Sequence, residues 1–226
     1  WFERFRWFIT SSGRLVIAGR DATQNEVIVR HYLRPWDIFV HADIPGGAAV
    51  VIRLTNSGDS VSDRDIQEAA QYAVSYSRAW VMGLSVLDAF YVRGEQVTKK
   101  APSGEYLGKG SFMIYGSRGW VRNAELNLGI GVRIDNIGDS SMIRIITAPP
   151  SAIGSLTNYY IILRPGTRDR VNVSKEIYDT FKAKIPGFAK VINLSHIVDA
   201  VPGPSTIEGF YEGNPMPWDR LRSLVK

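Results

Sequence analysis

His41 and Asp43 stand two positions apart at the end of an apolar run, Asp37 to Ala42, that reads as a β-strand, so both side chains share one side of it. The chain then turns through Pro45-Gly46-Gly47. An imidazole beside a carboxylate at a strand end is acid-base chemistry, and with Asp21, Glu26 and Asp37 recruited it becomes a metal-dependent hydrolase. A second group, Gly19-Arg20-Asp21 running on to Asn25-Glu26, puts a guanidinium, a carboxylate and an amide at the start of a helix. Free backbone N–H groups there can take a phosphate unless Asp21 already caps them. The third group is Lys99 to Ser111, which mixes Lys99, Lys100 and Lys109 with flexible glycines and Tyr106. Lysines meet phosphates while an exposed tyrosine stacks on a base. Between Arg93 and Arg122 six basic side chains face two acidic ones, the most basic stretch of the chain. Hydrolysis and nucleic-acid binding both remain open on these residues.

Composition narrows the field. The 226 residues are 45% hydrophobic and 22% charged, close to ordinary globular proteins and enough for one large domain or two smaller ones. The absence of cysteine removes disulfides, thiolate zinc sites, Fe–S clusters and cysteine nucleophiles, and three histidines leave little for imidazole metal sites, so no metal or cofactor is expected. No apolar run approaches the roughly 20 residues of a membrane helix. The net charge of +5 rests on 19 arginines and 8 lysines, and the arginine fork suits bidentate phosphate and base-edge contacts. Walker, Rossmann, nucleophile-elbow and kinase signatures are missing from the sequence. A start at Trp1 without methionine or leader is the pattern of a piece cut from something longer.

These residues need a scaffold, and the sequence outlines an α+β one. Trp7–Thr10 and Arg14–Ala18 flank a small-residue turn as a hairpin, Ala22–Leu33 is a helix capped by Asp21 with Gln24 at the capping-box offset, and Asp37–Ala42 and Ala48–Leu54 are strands. Ser62–Val81 reads as one long helix whose stripe of Ile66, Ala69, Ala70, Ala73, Val74, Ser77 and Trp80 lets it lie close against a sheet. Strands follow at 89–92, 111–115 and 128–134, with 97–109 a long exposed loop. Turn formers at 135–141 suggest a division into residues 1–134, a twisted and largely antiparallel sheet packed by that helix, and residues 142–226, a second mixed α+β domain. Strands are expected there at 142–147, 158–164 and 189–193, an amphipathic helix at 174–184 with Ile177, Tyr178 and Phe181 inward, and a terminal helix from Pro217.

Taken together, Trp1-Phe2-Glu3, Trp7-Phe8-Ile9, Gly19-Arg20-Asp21 with Asn25-Glu26, Asp37-Ile38-Phe39-Val40-His41-Ala42-Asp43, Ala101-Pro102-x-Gly104-Glu105-Tyr106 and Gly110-Ser111-Phe112 resemble, in order, the NFACT-R domain of the NFACT family of ribosome quality-control factors. Thr157-Asn158-Tyr159 with Leu163-x-Pro165-Gly166 is similar to the NFACT-C domain of archaeal-type members. The resemblance implies a cytoplasmic binding module with no cofactor, contacting rRNA or tRNA on the large ribosomal subunit, with a protein partner for the C-terminal domain. The residues expected to touch RNA are Arg20, Asn25, Arg30, His41, Lys99, Lys100, Tyr106, Lys109 and Arg118. Tail synthesis on the nascent chain belongs to family segments without a counterpart in this sequence. The rival expectation is a nuclease or RNA-modifying enzyme built on His41, Asp43 and Asp21.

Overall fold

The computed structural model describes residues 1–101 and 106–225; Pro102–Glu105, part of one quoted motif, lie outside them. The chain opens as the expected hairpin of β1 (Arg6–Ile9) and β2 (Leu15–Ala18), followed by α1 (Ala22–Val27). The Asp21 carboxylate caps α1 by accepting from the Gln24 N–H at 2.8 Å, and the helix widens into one π-type turn over Ile28–Tyr32. Next come β3 (Ile38–Ala42), β4 (Val50–Ile52), α2 (Asp63–Ser75), α3 (Arg78–Val81), β5 (Val86–Arg93), the two-residue strands β6 (Val97–Thr98) and β7 (Met113–Ile114), and β8 (Gly119–Glu125). Six of these strands form one antiparallel sheet in the order β1-β2-β4-β3-β5-β8.

The second half holds β9 (Leu128–Ile137), β10 (Ser140–Ala148), α4 (Pro150–Ile153), β11 (Tyr159–Arg168), α5 (Arg170–Lys184), α6 (Phe188–Val191), α7 (Leu194–Ala200), β12 (Ser205–Glu212) and α8 (Trp218–Leu224). Its antiparallel sheet runs β10-β9-β11-β12. Asp135–Ser141 is the tip of the β9–β10 hairpin, with Gly138 at φ +61, and the step from first sheet to second falls earlier, at Leu126-Asn127. Turn formers serve a hairpin as readily as a linker.

The helix α2 is the layer common to both sheets. Ser62 and Asp65 close a capping box at its start, the Ser62 hydroxyl accepting from the Asp65 N–H at 3.1 Å and the Asp65 carboxylate from the Ser62 N–H at 3.0 Å. Its alanines, Ala69, Ala70 and Ala73, are fully buried against the first sheet, as the stripe of small residues implies. The other side is buried too: Tyr72 Oη lies 2.7 Å from Thr147 Oγ1, Tyr76 Oη donates to the Ala200 carbonyl at 2.6 Å, and Glu68 accepts from Ser151 Oγ at 2.7 Å. A single stripe could not announce a helix covered from both sides. The long helix expected over Ser62–Val81 breaks at Tyr76, because the Ser77 hydroxyl donates to the Val74 carbonyl at 2.7 Å and caps α3 through the Ala79 N–H. Phe188–Val191 is helical rather than extended. Phe188 is buried against Phe181 and Tyr178, and one turn of helix brings its ring there.

Two polar devices hold the parts in place. Arg133, 1% exposed, meets Asp135 at 2.7 Å, and the same carboxylate takes Arg144 at 2.8 Å, which in turn reaches Glu3 near the chain start at 3.2 Å. The second device shapes the surface between β6 and β7. Glu26 on α1 accepts from Lys99 Nζ at 2.8 Å and from the Gly110 N–H at 2.9 Å, while Lys99 also donates to the carbonyls of Gly108 at 2.6 Å and Ser111 at 3.1 Å. Gly110 sits at φ +78 with the place of its absent Cβ 3.0 Å from Ala22 Cβ, so only glycine lets this segment lie down on α1.

Replacing Asp135 with Ala is expected to cost about 3 kcal/mol in denaturant unfolding, since it leaves the Arg133 guanidinium buried without its counter-charge. The Lys99 ammonium and the Gly110 N–H hold the Glu26 carboxyl below its ordinary value. Its contribution is therefore present above the usual carboxylate range of about 4 and disappears as the pH falls through the lowered value. Glu26→Gln should speed hydrogen exchange at Gly110 at neutral pH, and the parent should match it only in acid.

Candidate nucleic-acid interface

The segment held down by Glu26 forms one wall of a groove of about 670 Å³. Gly19–Ala22 and the turn at Pro45–Ala48 make further walls, the floor is Phe39, His41 and Phe90, and the far rim comes from Arg78 and Val81 of α3 with Arg170 at the start of α5. Five cationic side chains line it, Arg6, Arg20, Arg78, Lys109 and Arg170, against the single carboxylate of Asp21. They are not equally free. Arg6 lies 4.1 Å above the Tyr76 ring and donates to the Gly19 and Asp199 carbonyls, each at 3.2 Å, and Arg170 Nε donates to the Val198 carbonyl at 2.9 Å. Arg20, Arg78 and Lys109 are exposed and make no ion pair among the described residues.

The expected RNA-contacting residues divide by place. Arg20, Asn25, His41 and Lys109 come together at the groove, and Arg118 lies at its edge, 4.4 Å above the Phe90 ring. Asn25 is structural. It is 6% exposed, donating to the Gly47 carbonyl at 3.1 Å and accepting from the Ala49 N–H at 2.9 Å, which fixes the turn beside His41. Lys99 is likewise spent on Glu26 and two carbonyls, so the long loop expected to be solvated is anchored at its start. Arg30 sits 3.9 Å from Glu26 and outside the groove. Lys100 and Tyr106 are exposed, Tyr106 at 91%, on the outer face of the same segment.

His41 Nδ1 lies 2.7 Å from the Ala42 carbonyl, which makes Nδ1 the protonated nitrogen and leaves Nε2 as the acceptor. Burial pushes the imidazole below its ordinary pKa against the raising effect of the Ala42 and Gly47 backbone, so it is neutral at pH 7. The carboxylates that the hydrolytic alternative would recruit are elsewhere engaged. Asp21 caps α1, Glu26 holds Lys99, and Asp37 is fully buried beneath Arg53 at 2.8 Å and the Leu54 N–H at 2.9 Å, with burial raising its pKa. Asp43 is exposed on the turn. Among the described residues no three His, Asp or Glu side chains gather as a metal-holding group.

Arg6, Arg78 and Arg170 escaped the sequence reading because they come from three elements far apart in the chain. The break after Tyr76 was the one local sign for Arg78: Ser77 starts a new turn that turns it toward the groove.

Residues 4–116, half of the chain, match the family described as the NFACT protein RNA binding domain. The chain is 41% identical over 182 residues to the archaeal Rqc2 homolog aRqcH of Methanocaldococcus jannaschii, covering 80% of this chain and 26% of that protein. It is 46% identical over 132 residues to the ribosome quality control complex subunit NEMF homolog of Drosophila melanogaster, covering 58% and 13%. The human ribosome quality control complex subunit NEMF is 45% identical over 129 residues, covering 57% and 12%. The chain thus spans about a quarter of the archaeal relative and about an eighth of the animal ones. The match from β1 through β5, with α1 and the Glu26-anchored segment, places the chain in the NFACT family, whose RNA-binding domain it carries.

Proposed function

We propose that this chain is the RNA-contacting part of a ribosome quality-control factor, meeting rRNA or tRNA on the large ribosomal subunit through the cationic groove. The observation that carries the reading is the charge of that groove, five cations to one carboxylate, in a chain whose overall excess is only +5. Arg20, Arg78, Lys109 and Arg118 would take phosphates, Lys100 and Tyr106 would extend the contact outward, and neutral His41 would accept one hydrogen bond through Nε2. Such a surface reads backbone and shape more than sequence. Its relatives' names tie them to ribosome quality control, which supports a cytoplasmic setting at the ribosome. Residues 142–226, NFACT-C-like, would dock a protein partner. Among the described residues no helix is long and apolar enough to cross a membrane.

Affinity for a labelled structured RNA should fall with salt at a slope of about −3 to −4 on logarithmic axes, somewhat under one unit for each of the four phosphate contacts. Arg78→Ala combined with Lys109→Ala should flatten that slope by up to about two units. Binding that ignores salt, or a double variant that keeps the parent's slope, contradicts the proposal. Because the His41 imidazole is held below its ordinary pKa, parent and His41→Gln should show the same pH dependence of affinity between about pH 7 and 8; a gain on acidification across that range confined to the parent would mean that the imidazole binds as a cation.

A further inference from the structure

The first sheet has two faces, and α2 covers one of them. On the other, the strand register sets His41 of β3 opposite Phe90 of β5, and Phe90 opposite Trp120 of β8. The rings follow one another across the sheet at 5.9 Å from His41 to Phe90 and 6.0 Å from Phe90 to Trp120. A guanidinium lies on each of the last two rings, Arg118 at 4.4 Å from the Phe90 centroid and Arg122 at 4.5 Å from that of Trp120. Arg122 is held in that place by Asp88 at 2.6 Å, and the same carboxylate accepts from the Asn123 N–H at 2.8 Å, where Asn123 adopts φ +52 and the β5–β8 register shifts. The bulge thus sets Arg122 beside Trp120 at the sheet edge. Trp120 remains 37% exposed and His41 is half-buried, while Phe90 is buried beneath Arg118, whose guanidinium is the plane presented at that position and makes no ion pair among the described residues.

We infer that this row, His41-Phe90-Trp120 with Arg118 and Arg122, is a stacking platform for unpaired RNA bases, continuous with the cationic groove whose floor His41 and Phe90 form. Aromatic rings and guanidinium planes both stack on bases, and a duplex hides the base faces that such a surface needs. With its ring centroids 5.9 and 6.0 Å apart, the row has room for two or three bases. Phosphates of the same strand then fall toward Arg20, Arg78 and Lys109. Arg118, whose charge no carboxylate among the described residues offsets, favours a polyanion over an apolar peptide on this face. The inference rests on the groove being the RNA site and narrows its ligand to single-stranded segments or loops.

The test uses the 226-residue chain and three labelled RNAs of equal length: an unstructured single strand, its duplex, and an abasic ribose-phosphate strand that keeps the charges. The single strand should bind about ten-fold more tightly than the abasic one, the worth of one or two stacked bases. Trp120→Leu should remove that advantage while leaving duplex and abasic affinities as they were, and Trp120→Phe, which keeps an aromatic face, should restore most of it. Circular dichroism of Trp120→Leu confirms that a half-exposed edge position has not cost the fold. Equal affinity for single and abasic strands, or a Trp120→Leu variant that binds the single strand as the parent does, overturns the platform and leaves the groove standing. Failure of all three RNAs to bind overturns both.

Discussion

The groove exists because one carboxylate on a six-residue helix gathers the ends of a distant segment. Glu26 holds Lys99 and the Gly110 N–H together, and Lys99 completes the closure by donating to Gly108 and Ser111. Without that closure the stretch between β6 and β7 has only a two-residue ladder to define it, and Lys109 and Phe112 would have no fixed place beside α1. An ion pair at a surface contributes little by itself. Here the pair is joined by three backbone hydrogen bonds and a glycine-only close approach, and together these determine where the wall of the groove stands.

The opposite wall depends on a neutral counterpart. Buried Asn25, the residue before Glu26, ties Gly47 and Ala49 to α1, and the Gly47 backbone lies against His41. Adjacent residues of one short helix therefore position both sides of the site, one through its amide and the other through its charge. The far rim belongs to the second half of the chain. Arg170 and the Val201–Pro202 segment reach the groove because Tyr76 and Trp80 are tied to the Ala200 and Pro204 carbonyls at 2.6 and 3.1 Å. The site is thus a property of the packed chain rather than of one sheet.

Much of this was legible in the sequence, for identifiable reasons. The opening hairpin, the Asp21 and Ser62 caps and the small-residue stripe of α2 are local signals, and local physics determines them. The family resemblance carried by the His-Ala-Asp and Gly-Arg-Asp motifs pointed to RNA. The roles inside those motifs were not legible: Asn25 and Lys99 look like ligands because they are polar, and only the fold shows that their polar atoms are already used. Strands β8 and β12 escaped for a different reason. Both are sheet edges with Arg, Asn, Glu or Thr among their exposed positions, so the apolar alternation that marks a strand is diluted. The cations that converge from β1, α3 and α5 are separated by too much chain for any spacing rule to join them.

Amide chemical-shift mapping of the isotope-labelled chain during RNA titration locates the contact surface directly. The account predicts perturbations concentrated at Gly19–Ala22, Gly46–Ala48, Arg78 and Lys109–Phe112, extending along β5 and β8 to Trp120, with β12 and the outer face of α5 unmoved. Perturbations centred on the second half's outer surface, or scattered without reference to the groove, would contradict it.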